Sequence, residues 1–258
     1  MSDMSGAVAS PKPDIQSVTL DDLRAALAAG WRDFRTAPAF GLFFSSVYVL
    51  GGLALVYFGA GTVAWTLMLS LGFPLIAPFA AVGLYEVSRR MERGEALSWP
   101  GVLGVVLREK DRQLPWAGAI IVFAFLFWTF LSHMVFALFM GLSVMTNISS
   151  SWEVFFTSNG LAMIGTELVL GGCFAFLLFG LTVVSFPLML DKEIDFMTSM
   201  LLSLETVRRN LAVMLSWAAI IAALLFAGML PAFLGLFVVL PVLGHATWHL
   251  YRRALSTP

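Results

Sequence analysis

Charge is what this sequence holds least of. Its 258 residues include 15 Lys or Arg and 16 Asp or Glu, 12% of the chain where a soluble domain carries about 25%. A water-soluble fold of this length could bury a core, but it could not clothe its surface with so few ions. The formal net charge of −1 removes the electrostatic reason to bind nucleic acid. Cysteine is nearly absent: Cys173 stands alone inside an apolar run, which excludes a disulfide framework and a cysteine-based metal site. Histidine is down to His133, His245 and His249. No phosphate-binding loop, dinucleotide glycine pattern, zinc-protease helix or GxSxG elbow occurs. No catalytic residue, metal ligand or cofactor is therefore expected, and the chain is expected not to be an enzyme.

What abounds is apolar side chain: 59% hydrophobic residues, 23 Phe, 8 Trp and a mean hydropathy of +0.89. Several runs reach the ~20 residues a helix needs to cross the hydrocarbon core. Residues 1–16 are small and polar, with two prolines and no apolar stretch of the signal-peptide kind, which predicts a flexible tail. Thr19 then stands three residues before Asp22 in capping-box spacing. Leu20, Leu23, Leu27, Trp31 and Phe34 line one face, with Arg24, Arg32, Asp33 and Arg35 opposite. This predicts a helix over 19–36, ended by Pro38, lying either in the membrane interface or against the rest of the protein. Spanning helices are expected at 39–60, 62–85, 116–140, within 161–190, at 211–229 and at 231–251. Further amphipathic helices are expected from Ser98 and over 195–210.

On that parse every Lys and Arg precedes the first span, follows the sixth, or falls between the second and third or the fourth and fifth. The positive-inside bias then puts both termini and both charged loops in the cytoplasm. The expectation is an all-α, multi-pass membrane protein. Its six spans form three hairpins, each preceded by a cytoplasmic amphipathic helix. As domains this gives a tail 1–16, one membrane domain 17–253 built of repeats near 17–93, 94–195 and 196–253, and a short tail 254–258. Repeats of this kind often place function at their interface, and duplication also makes proteins that merely fill space.

Three groups of residues carry a likeness. They are Gly30-Trp31-Arg32-Asp33 with Pro38; Gly83-Leu84-Tyr85-Glu86 with Ser88-Arg89 and Glu92-Arg93-Gly94-Glu95; and Ser185-Phe186-Pro187 with Leu190-Asp191, then Asn210 and Trp217. Together, over most of the chain beyond the tail, they resemble a bacterial family of predicted integral membrane proteins known as a domain of unknown function. The resemblance implies a polytopic inner-membrane protein and supplies no activity and no catalytic residues. Some members of that family carry a label likening them to subunit I of cytochrome c oxidase. A haem–copper core needs several intramembrane histidines. Here His133 falls ~25 Å from the cytoplasmic end of its helix, while His245 and His249 fall roughly 9 and 3 Å from theirs, so no haem is expected.

Ionisable residues inside a bilayer invite a functional reading. Glu167 is expected near the depth of His133 on the neighbouring span, where the two could share a proton or fasten the hairpin. Superposing the repeats on Pro74, Pro187 and Pro241 puts Pro78, Asp191 and His245 at one position, and Asp191 either below the surface beside a basic neighbour or simply at a charged helix exit. The same prolines are expected to kink their helices. Ala219, Ala223 and Ala227 form a ridge for close helix contact, and Arg89, Arg90, Arg208, Arg209, Arg252 and Arg253 form a basic girdle at the membrane surface.

Two functions fit best. One is a non-enzymatic accessory, assembly or scaffolding protein, with the lipid bilayer and other inner-membrane proteins, respiratory complexes included, as partners. The other is a small-solute or ion transporter with a cytoplasm-facing cavity between kinked helices. A continuous polar cavity lined by Asp191, His245 or Glu167 speaks for the second, and a sealed apolar interior for the first.

Overall fold

Short-range capping fixes where the amphipathic helices begin. Thr19 accepts a hydrogen bond from the Asp22 amide while the Asp22 carboxylate accepts one from the Thr19 amide, a complete capping box, and α1 runs over Leu20–Thr36. Pro38 opens α2 (Pro38–Phe58), and the two helices meet at 102°. After α3 (Val63–Glu92), Ser98 caps α4 (Trp99–Glu109) by accepting from the Gly101 amide. Asp195 caps α8 (Phe196–Arg209) through the Thr198 amide. Between them lie α5 (Leu114–Met140), α6 (Ser158–Thr182) and α7 (Ser185–Asp191), and after them α9 (Leu211–Met229) and α10 (Leu236–Ala254). This computed structural model describes residues 11–58, 63–141 and 155–256, with only the backbone for 55–56, 58 and 63–76. Most of the loop without basic residues, residues 1–10 of the N-terminal tail and the side chain of Pro74 lie outside that set.

Three helical runs among the described residues are long and apolar enough to cross a membrane: α5, the run Ser158–Asp191, and α9. The bent pair α1–α2 makes a fourth if counted as one. The other expected spans, α3 and α10, are helices as well. The protein is thus a mostly helical membrane protein with three to four apolar span candidates.

The expected kink at Pro187 is instead a break four residues earlier. A proline ring crowds the carbonyl of residue i−4, here Val183, and the helix opens between Thr182 and Ser185. In an unbroken helix the Val184 amide would reach the Gly180 carbonyl. Instead the fully buried Ser203 hydroxyl on α8 accepts from Val184 N at 3.1 Å and donates to Gly180 O at 2.7 Å. A neighbouring helix thereby resupplies the lost partner, as hydrocarbon requires. Pro241 lies inside α10, and Pro78 lies buried within α3.

The tails are also more ordered than expected. Asp14–Ile15 (β1) pairs antiparallel with Leu255–Ser256 (β2), and Gln16 N donates to Ala254 O. Asn210 completes the clasp, its carbonyl oxygen accepting from Val18 N at 2.8 Å and its amide donating to Gln16 O at 3.1 Å. These satisfy backbone groups that a free tail would leave to water.

The large core gathers at the charged end. It joins Leu23 and Ala26 of α1, residues 183–190, Met200 and Leu202 of α8, Trp217 of α9 and Trp248 and Leu250 of α10. Away from it, Phe123, Phe130, Leu138, Leu168, Val169 and Phe226 stay exposed. Lipid is as apolar as these side chains, so nothing drives them inward. The Ala219–Ala223–Ala227 ridge, expected to seat a neighbouring helix, is likewise exposed.

Of the two placements left open for α1, it takes the second and lies along α10, leaving Leu20 and Trp31 exposed on its outer side. A Cβ on Gly30 would stand 2.5 Å from Val242 O and 2.6 Å from Ala246 N, so only glycine permits that crossing. Gly83 does the same for the Phe44 ring of α2, at 2.1 Å. Gly30→Ala is expected to destabilise the protein by about 3 kcal/mol in thermal unfolding. Gly104→Ala, on a helix position with open space, should be neutral or stabilising by about 0.5 kcal/mol.

Candidate functional site

Docking α1 on α10 carries Asp33 out of water. The residue ends 8% exposed, where the sides of α1, α3 and α10 meet. Ser88 Oγ on α3 donates to Asp33 Oδ2 at 2.8 Å, and His249 Nε2 on α10 approaches the same oxygen at 2.7 Å. His245 Nδ1, one turn before His249, stands 2.8 Å from Ser88 Oγ, and both side chains are fully buried. Burial alone would raise the Asp33 carboxyl. Hydrogen bonds from His249 and Ser88 outweigh it and hold the group below its ordinary 3.8. An ionised carboxylate only accepts, so Ser88 commits its one proton to Asp33 and His245 carries its proton on Nδ1. His245 Nε2 then completes no hydrogen bond among the described residues, although the Leu84 backbone is near the ring.

Spacing reveals only half of this cluster. His245 and His249 share a helix face, and Asp33 follows Gly30 by one turn of α1, but nothing in the sequence joins those helices or points to Ser88. No nucleophile–base pair is legible in the sequence, yet the fold brings Ser88 and His245 to hydrogen-bond distance. The order is wrong for acyl transfer, which places the histidine between serine and carboxylate. Here the serine lies between them, closed to solvent.

Asp191, at the end of α7, anchors a second cluster. Its side chain is 4% exposed and sits below the surface beside arginines: Arg93 Nη2 at 2.9 Å and Arg252 Nη1 at 3.5 Å, with the Tyr251 hydroxyl donating at 3.0 Å. Glu92 accepts from Arg252 Nε at 3.0 Å and Trp248 Nε1 at 2.9 Å. A cavity of about 290 Å³ opens among Glu92, Arg93, Asp191, Lys192, Trp248 and Arg252. Asp191 and His245 thus belong to separate clusters, although the repeat superposition puts them at one position.

Glu167 and His133 do not meet in hydrogen-bonding contact. Glu167 accepts from Ser132 at 3.0 Å, while His133 bonds the Thr129 carbonyl of its own helix at 2.7 Å. The basic girdle gathers at the charged end, but as paired side chains. Arg89 and Arg90 turn to the fully buried Glu86 at 2.8 and 2.7 Å, Arg208 and Arg209 to Glu205 at 2.8 Å each, Arg252 to Glu92, and Arg253 to Asp22 at 3.1 Å. The two arginines of α8 pull the half-buried Glu205 carboxyl down to about 2. Arg112 bridges Glu109 of α4 and Glu193 beyond α7. A second cavity, about 440 Å³, lies between α2, α3, α5, α6 and α10, with Tyr48, Pro78, Tyr85, Phe125, Phe179 and Thr247 in its wall.

Asp33 fixes a sign for acid sensitivity. A carboxylate whose folded value is lowered contributes stability above its ordinary range and loses it as pH falls through the folded value. The wild-type protein should therefore lose more stability than Asp33→Asn as pH falls from about 6 to about 3. Parallel loss in both, measured by thermal unfolding, would remove Asp33 from the account.

Residues 65–191 match the family model described as a predicted integral membrane protein, DUF2189. The match takes in Gly83 to Glu95 and Ser185 to Asp191, with Ser88 and Asp191 of the two clusters; Asp33, Asn210, Trp217 and both histidines of α10 fall outside it. No curated protein and no solved structure matches the chain.

Proposed function

With residues 65–191 placed in a family of predicted integral membrane proteins, we propose that the chain is a non-catalytic accessory or scaffolding protein of the bacterial inner membrane. On this proposal it crosses the bilayer six times in three repeated hairpins with both termini in the cytoplasm. The observation that carries it is the division between the two cavities. The larger one is walled mainly by apolar and aromatic side chains and has none of Asp191, His245 or Glu167 in its lining. The polar one is confined to the charged end. A transported ion needs compensating groups along its path, and of these two cavities only the one at the charged end is lined by ionisable side chains other than tyrosine among the described residues. Ser88 and His245, a serine–histidine pair that could suggest catalysis, are both fully buried.

A scaffold needs a face for its partner. The exposed Ala219–Ala223–Ala227 ridge suits close approach of another helix, since small side chains let backbones pack. Purification of the full chain in gentle detergent, followed by mass spectrometry, is expected to recover a membrane protein in stoichiometric amount. Ala223→Leu should lose that protein while keeping the wild-type melting temperature. A chain that purifies alone, yet conducts an ion or solute in vesicles, would favour transport.

A further inference from the structure

The cavity among α3, α7 and α10 has an uneven supply of hydrogen-bonding groups. Each of the four carboxylate oxygens in its wall already has a partner. Asp191 Oδ1 accepts from Arg93 and Oδ2 from Tyr251, with Arg252 beside it. Glu92 Oε1 accepts from Arg252 and Oε2 from Trp248. Donors are left over. Lys192 makes no side-chain hydrogen bond or ion pair among the described residues, so its three N–H groups are uncommitted. Arg93 and Arg252 each carry five N–H donors, spend only part of them on these carboxylates, and keep 48% and 39% of their side chains exposed. Three cations against two carboxylates leave the wall with a formal charge of +1.

Helix ends do not reverse that balance. The three helices end at this cavity, and free carbonyls there would repel an anion. Those of Arg89, Arg90 and Met91 are bonded by the amides of Arg93, Glu95 and Gly94. Leu188 O is taken by Lys192 N, and Ala254 O by Gln16 N. Partnered carboxylates, spare cationic donors and a solvent-open cavity of about 290 Å³ fit a phosphate group, whose oxygens accept charge-assisted bonds from arginine and lysine.

The geometry points to a phosphate site at Arg93, Lys192 and Arg252, filled by the headgroup of an anionic phospholipid or by a soluble phosphate ester. A zwitterionic headgroup suits it poorly, because its quaternary ammonium would meet the same cations. The inference does not depend on the accessory role, since a transporter could carry the same site.

The test is a binding titration of the purified full chain in a neutral detergent. The probes are short-chain phosphatidylglycerol, short-chain phosphatidylcholine, glycerol phosphate and inorganic phosphate. Lys192→Gln removes the uncommitted cation without breaking an ion pair, and Lys110→Gln removes an exposed cation on α4's C-terminal side as the control. Saturable binding of phosphatidylglycerol over phosphatidylcholine, weakened about tenfold by Lys192→Gln and less than about twofold by Lys110→Gln, establishes a lipid site. Equal affinity for glycerol phosphate or inorganic phosphate, with the same dependence on Lys192, assigns the site to a soluble ligand. Absence of saturable binding by every probe, or equal losses in the two variants, overturns it.

Discussion

Asp33 is the constraint on which the arrangement of the charged end depends. A carboxylate removed from water costs several kcal/mol unless hydrogen bonds replace its hydration. Asp33 finds its partners on two other helices, Ser88 of α3 and His249 of α10. Helix α1 therefore cannot leave the bundle without breaking both bonds and leaving the Ser88 hydroxyl and the His249 ring without their shared acceptor. Gly30, one turn earlier, lets the backbones close far enough for those bonds to form. Once α1 lies along α10, the chain must turn sharply at Pro38, Asp22 comes beside Arg253, and the residues before α1 reach the strand after α10.

Solvent sets the rest of the design. At the charged end water is present and apolar side chains gain by burial, so the helices build a conventional core there. Over the apolar lengths of α5, α6 and α9 the surroundings are apolar too, and the same side chains remain outward. Exposed pairs such as Arg24–Asp21 contribute little. Asp191 differs, because a carboxylate 4% exposed with arginine on either side ties the ends of α3, α7 and α10 into one unit.

Much of this was legible locally. Thr19, Ser98 and Asp195 announce three helix starts through side chains that act within one turn, and each start falls where the spacing predicts it. Apolar runs reveal α5 and α9 within a few residues, because a lipid-facing helix needs no partner to specify it. The spacing predicts a kink at Pro187, and the helix instead opens four residues earlier, since the ring's clash falls on the carbonyl of Val183. What could not be read is whatever depends on two distant segments. Ser203 filling the gap in α6–α7, Asn210 holding residues 16–18 and Ser88 joining Asp33 to His245 leave no trace in local spacing. Glu167 illustrates the converse error: neighbouring helices and similar depth suggested His133, and the rotation of α5 delivered Ser132 instead.

The measurement that tests this account most directly is a double-mutant cycle on Asp33→Asn and His249→Gln, read by thermal unfolding of the full chain in one detergent. Partners in a largely buried hydrogen bond to a carboxylate should show a coupling energy above about 1 kcal/mol. Losses that add to within about 0.3 kcal/mol would mean that the two side chains act independently, and that something other than Asp33 holds α1 in place.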